Sequence, residues 1–104
     1  GEEPLFICAM LARELRLLSG LALQISQGTP QDRAFASARP PVWDKRKQPL
    51  GKALQRNTAK AFNGMLVSAQ QIDAQIKGQA AGDPWNSLTR LCLQLAGQHL
   101  KLEA

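Results

Sequence analysis

The chain predicts an all-α fold, a compact bundle of five to six helices in a single domain spanning residues 1–104. Three observations carry this. Apolar residues recur at the helical period in three long stretches. Capping residues stand where those stretches begin and end. Aromatic strand formers are scarce, with no Tyr, three Phe and two Trp, so Leu and Ala must do most of the packing. The chain shows no alternating strand pattern and no internal repeat.

The first helix is expected from Pro4 to Ser26. Pro4 suits a first helical position, and Glu2 and Glu3 complement the positive end of the helix dipole. Leu11, Leu15, Leu18, Ala22 and Ile25 form one stripe at the helical period. Phe6, Ile7, Met10, Leu17 and Leu21 widen that stripe well past a single face. A surface helix of a monomer does not need so much apolar girth. Either a core surrounds this helix, or part of it meets another protein chain. Gly28-Thr29-Pro30 ends the element, and Pro30 to Ala38 reads as a short helix containing Phe35.

Pro40 and Pro41 then fix a bend. Val42 to Lys47 reads as one helical turn. Pro49 opens a separate short helix, Leu50 to Arg56, which presents Leu50 and Leu54 and is weakened by Gly51. The next helix is the clearest. Thr58 is its N-cap, and Phe62, Met65, Leu66, Ala69, Ile72 and Ile76 keep the period. Gly78 stands where a left-handed C-terminal cap belongs. The last helix opens with Asp83 as N-cap and Pro84 at its first position, and lines Trp85, Leu88, Leu91, Cys92 and Leu95 along one face. Gly97 and the tail from His99 to Ala104 close the chain.

A chain of 104 residues is bounded to one domain, burying roughly two-thirds of the surface its unfolded form exposes. Its hydrophobic content of 44% argues against disorder. Cys8 and Cys92 each sit inside an apolar helical pattern and read as small buried hydrophobes. No framework supports a disulfide between them, so a reducing, cytoplasmic home is expected. The longest apolar run, Leu5 to Ala12, is far short of a membrane span. The opening Gly-Glu-Glu is acidic where a secretory signal would be basic. The abrupt start without Met predicts a piece cut from a longer protein, with Gly1 a cloning scar.

Charge is strongly local. Eight basic residues lie between Arg33 and Lys60 against one acid, Asp44. That window carries +7 and the rest of the chain −2, which together give the net +5. A local basic patch suits phosphate or an acidic protein face. The plainer reading is a solvated loop and helix face.

Enzyme chemistry finds little support. The chain has no P-loop pattern, no spaced metal-ligand cluster and no nucleophile with a base at a plausible spacing. Its single histidine, His99, lies in the terminal tail and reads as a surface residue. Glu14, between Arg13 and Arg16, reads as one member of an ion pair, and Asp73 as solvent-facing. No cofactor is expected. Trp43 has two readings: an anchor packed into the bundle, or a partly exposed ring that stacks on an unpaired base. Trp85 reads as a packing residue at a helix start.

Three segments in order carry a family likeness. They are Ala12-Arg-Glu-Leu-Arg-Leu-Leu18, then Arg39-Pro-Pro-Val-Trp-Asp-Lys-Arg-Lys47, then Ile72-Asp-Ala-Gln-Ile-Lys-Gly78 followed by Gly82-Asp-Pro-Trp85 and a Leu-rich helix. In this order and spacing the chain resembles the C-terminal domain of the bacterial DNA polymerase III delta subunit. The resemblance implies a helical bundle of the clamp-loader collar (post-AAA+ oligomerisation) type, covering nearly the whole chain. It implies a non-catalytic domain that joins counterparts from the gamma/tau and delta-prime subunits, with primer–template DNA held beneath the collar. In that family the N-terminal part opens the sliding clamp, so this domain is not expected to bind the clamp by itself. Some relatives place an aromatic in the loop before the Pro-Trp pair; here that loop reads Gln79-Ala80-Ala81.

The expected function is therefore subunit assembly in a clamp loader, with no membrane partner. Phe6, Met10, Arg13, Leu17 and Leu21 of the first helix are candidate interface residues. Leu88, Leu91 and Leu95 of the last helix complete that set. Trp43, Lys45, Arg46, Lys47, Lys52 and Arg56 are the candidate DNA-proximal edge. Two rivals stand beside this reading: an independent basic helical module that binds nucleic acid, and a small hydrolase or transferase with a site assembled around His99 or Glu14.

Overall fold

The computed structural model describes residues 3–97. Five helices follow one another: α1 (Glu3–Ser26), α2 (Gln31–Ser37), α3 (Asp44–Arg56), α4 (Ala59–Ile76) and α5 (Pro84–Leu95). No strand occurs among the described residues.

α1 is the hub, touching each of the other four helices and packing most extensively on α4. The two run antiparallel, since Cys8 Sγ donates to the Ala69 carbonyl (3.3 Å) near one end and Ser19 Oγ meets Asn63 Oδ1 (2.7 Å) nearer the other. The predicted stripe supplies the core from α1 through Leu15, Leu18 and Ala22. Phe62, Met65, Ala69 and Ile72 answer it from α4, Leu88 and Leu91 from α5, and Ala34 and Phe35 from α2. No charged or polar residue is buried among the described residues.

The caps of α4 and α5 fall where the sequence puts them. Thr58 Oγ1 accepts from the Ala61 N–H (3.1 Å), and Asp83 Oδ1 accepts from the Trp85 N–H (3.1 Å). Just past the end of α4 stands Gly78, whose φ of +77° suits glycine. The Gln79 and Gly78 N–H groups there return to the Ala74 and Gln75 carbonyls, satisfying the last turn.

The segment between α2 and α4 departs from expectation. One continuous helix, α3, replaces the predicted turn and separate short helix, and Pro49 lies inside it. Pro49 lacks the N–H that would reach the Lys45 carbonyl. It is on the exposed side of α3, where water can serve that carbonyl. Asp44 in the first turn favours starting the helix there. Gly51 has a packing role: a Cβ there would lie 3.1 Å from Gln31 Nε2, so its absence lets α3 approach α2.

The cysteine expectation holds for one residue of two. Cys8 is buried and Cys92 exposed, and both are free thiols. Cys92 lies at the edge of the α5 apolar face, outside the strip that Leu88 and Leu91 bury.

Candidate functional site

Three clefts open along α1: one of about 480 Å³ against α4, lined by Ala12, Arg13, Arg16, Leu66 and Asp73 among others, and two that lie side by side, the larger walled by the sequence between α2 and α3. After α2 the chain turns through Arg39–Pro40, a cis peptide bond, and Arg39 Nη1 donates to the Ala36 (3.4 Å) and Ala38 (3.0 Å) carbonyls. The Val42 N–H then donates to the Phe35 carbonyl (3.1 Å), tying the bend to α2. Backbone here is extended, so neighbouring side chains point to opposite sides. Val42 takes the inward place and is buried, while Trp43 is turned out and 73% exposed. The anchor reading of Trp43 is thereby corrected: Val42 is the anchor.

Pro40, Pro41, Val42 and Trp43 form one side of a cleft of about 680 Å³; Arg13, Arg16 and Leu17 of α1 form the other. Glu14 and Arg46 close it, joined as an ion pair between α1 and α3. A second cleft of about 580 Å³ shares Arg13, Glu14 and Arg46 and continues past Ile7, Met10 and Leu11 to Cys92. An apolar path thus runs along α1 with a charged bridge at its middle.

The cations predicted to lie near DNA are placed in different local settings. Arg46 is held by Glu14, and Lys47 by Asp44 (3.0 Å). Arg56 Nη1 donates to the Ala96 carbonyl (2.9 Å), placing its charge at the negative end of α5. Lys45 and Lys52 are exposed and have no acidic partner within ion-pair distance among the described residues. Of the six predicted DNA-proximal residues, then, Trp43 and Arg46 meet in the cleft and Lys45 and Lys52 face solvent. Lys47 and Arg56 serve local structure. Asp73, expected to face solvent alone, pairs with Lys77 (2.9 Å).

The predicted interface residues divide equally sharply. Phe6 is 65% and Met10 54% exposed, Arg13 is exposed, and Leu17 and Leu95 are half-buried. Leu21, Leu88 and Leu91 are corrected: each is at most 3% exposed, filling the core where α1 and α5 meet the other helices. They have no surface to offer a partner without unfolding. Trp85 is half-exposed rather than packed, since it stands in the first turn of α5 beyond the reach of the core. Leu5, Leu23 and Val67 are exposed but line none of the three clefts.

Sequence reading missed Arg16 and the part played by Pro40 and Pro41 as a wall. Arg16 lay outside the basic window because the cleft joins residues far apart in sequence. Its signal was the Arg13–Arg16 spacing, which puts two cations on one side of α1 beside Leu17.

Elsewhere, a polar depression of about 250 Å³ between α4 and α5 is lined by Ser68, Gln71, Gln75, Ser87, Arg90 and Gln94 among others. Gln75 Nε2 donates to the Ala81 carbonyl (3.1 Å), and its Oε1 is buried without a partner. No group of three or more His, Cys, Asp or Glu gathers among the described residues. Burial raises the Cys8 thiol above its ordinary value; Asp73 adds to the rise and Lys77 opposes it. A protonated, enclosed thiol is a poor nucleophile. His99 lies outside the described residues. No described helix is long and apolar enough to cross a membrane. No family model, curated protein or solved structure matches this chain.

Proposed function

We propose that this chain is a non-catalytic assembly domain, the collar domain of a clamp-loader delta subunit. The observation that carries the reading is the bare flank of α1. Phe6 and Met10 stand in solvent on a helix whose opposite side is core, and the flank continues through Arg13 to half-buried Leu17. Large exposed apolar residues in a row, rimmed by charge, mark a protein interface. The partners are the gamma/tau and delta-prime subunits, with primer–template DNA beneath the assembled collar. Clamp contact belongs to the N-terminal part of such a subunit, and the setting is the cytoplasm.

The test is a pull-down with those subunits, run with and without primer–template DNA. Retention without DNA supports the collar. Phe6→Asp should weaken retention while leaving the thermal melt of the chain in place. Leu21→Asp should unfold the chain, because it buries a charge. Equal loss of assembly and of stability in Phe6→Asp would sink the interface.

A second reading, a basic helical module that binds nucleic acid, is favoured by the exposure of Trp43 together with that of Lys45 and Lys52. It requires the chain alone to bind single-stranded DNA with an affinity that falls steeply as salt rises. Affinity independent of salt would remove it.

A further inference from the structure

We infer that the cleft between α1 and the Pro40–Trp43 wall is the seat for an acidic amphipathic helix of a partner protein. This rests on the assembly reading and names the chemistry of what docks. Charge favours such an occupant. Four arginines, Arg13, Arg16, Arg39 and Arg46, surround the cleft against one carboxylate, Glu14, leaving a local +3. A segment carrying Asp or Glu is complementary, and its carboxylate competes with Glu14 for Arg46. Arginine forks pair with carboxylates through two parallel bonds.

The composition of the cleft favours protein. An exposed Trp, two prolines, a half-buried Leu and four arginines line the cleft beside Val42 and Glu14, with no lysine among them. Trp and Arg concentrate the energy at protein interfaces, where lysine is depleted. Nucleic acid fits less well. Pro40 and Pro41 offer no N–H to a phosphate, and a single Trp makes a poor platform for successive bases. Lys45 and Lys52, which would follow a phosphate backbone, are absent from the lining. A second copy is disfavoured because it would set one +3 rim against another.

The spacing of the apolar residues suits a helix. Met10 in the smaller of the side-by-side clefts and Leu17 in the larger are seven residues apart on α1, about 10 Å along the axis. A partner helix with apolar anchors at i and i+7 spans the same distance. Acidic residues between its anchors meet Arg13 and Arg46 at the bridge.

The experiment selects a displayed random peptide library, about 16 residues long so that helices can form, on the intact 104-residue chain. The selection is counter-screened on Trp43→Ala, whose exposed side chain leaves the fold intact. The expected winners carry Asp or Glu between apolar residues spaced i, i+7. They should lose about tenfold in affinity to Trp43→Ala and to Arg16→Glu. Winners that are neutral or basic overturn the inference, as does failure to enrich any peptide over the Trp43→Ala background. A fluorescent oligothymidylate bound by the chain and released by Trp43→Ala would put nucleic acid in the cleft instead. Dimerisation of the chain that Trp43→Ala abolishes would put a second copy there. Loader subunits are captured in parallel by both chains. Equal capture by the two sinks the cleft and spares the collar; no capture by either, with acidic peptides still selected, sinks the collar alone.

Discussion

α4 and α3 differ in what holds them. α4 buries Phe62, Met65, Ala69 and Ile72 and carries its own cap at each end. α3 is strongly polar, has no side-chain cap at its start, contains a proline, and buries only Leu50, Gly51 and Ala53. α3 is tied to its surroundings by the burial of Leu50 and Ala53, by the exposed Arg46–Glu14 pair and by the Arg56 bond to the end of α5. One helix is specified by its own sequence, the other by its surroundings. The second kind is suited to a site, because an incoming ligand can change those surroundings.

The largest effect should come from the self-specified helix. Phe62 is fully buried at the centre of the core. Phe62→Ala should cost about 3–5 kcal/mol, a large part of the stability of a small domain, read from urea melts. A loss under about 1 kcal/mol would mean that the α1–α4 pairing is not what holds the bundle.

Hydrogen exchange should then separate the two helices. α3 packs chiefly on α1, whereas α4 packs on both α1 and α5. Amides of α3 should exchange through local opening, about a hundredfold faster than those of α4. Pro49→Ala restores an N–H to the Lys45 carbonyl and should stabilise α3 by about 1 kcal/mol or more, narrowing that gap. If Pro49→Ala destabilises instead, the proline is fitted to its place and α3 is better specified by its own sequence than its composition suggests.

The same contrast explains what could be read in advance. α1, α4 and α5 were legible because burial at the helical period and their end residues agree. α3 was not, because local rules end a helix near Pro49 and only the docking of Leu50 and Gly51 against the bundle overrides them. Trp43 misled for a different reason. Bulk favours it as an anchor, but Val42 and Trp43 are adjacent in extended backbone, and only one of them can face inward. Leu21, Leu88 and Leu91 show the limit of reading surplus girth: periodicity counts apolar residues but does not say which neighbour covers each one. The cleft was invisible because Arg16 and Pro41 meet only after folding.

A smaller effect tests how α3 is tied to α1. Glu14 and Arg46 both keep more than a third of their side-chain surface in water, so the pair is weak. Glu14→Gln should cost no more than about 1 kcal/mol, and less at high salt. It should nonetheless speed exchange in α3 and leave α4 unchanged. An equal change in both helices would mean that the pair serves the whole bundle.

The smallest effect uses the two thiols as reporters of opposite sides of α1. Cys8 lies under α4, and burial, reinforced by the Asp73 carboxylate and opposed by Lys77, raises its thiol above the ordinary 9.0. Cys92 borders the cleft that holds Met10 and is exposed. Iodoacetamide should therefore modify Cys92 well before Cys8, followed by mass spectrometry of the native chain. The raised value also fixes the sign of a pH effect. Well below pH 9.0 the thiol is protonated in both states, and its place in the core is undisturbed. As pH rises past that value the unfolded chain releases the proton first, so stability falls until the folded thiol also ionises. Cys8→Ala should flatten that alkaline decline. An unchanged slope, or modification of Cys8 as fast as Cys92, would mean that the α1–α4 contact opens as readily as α3 does.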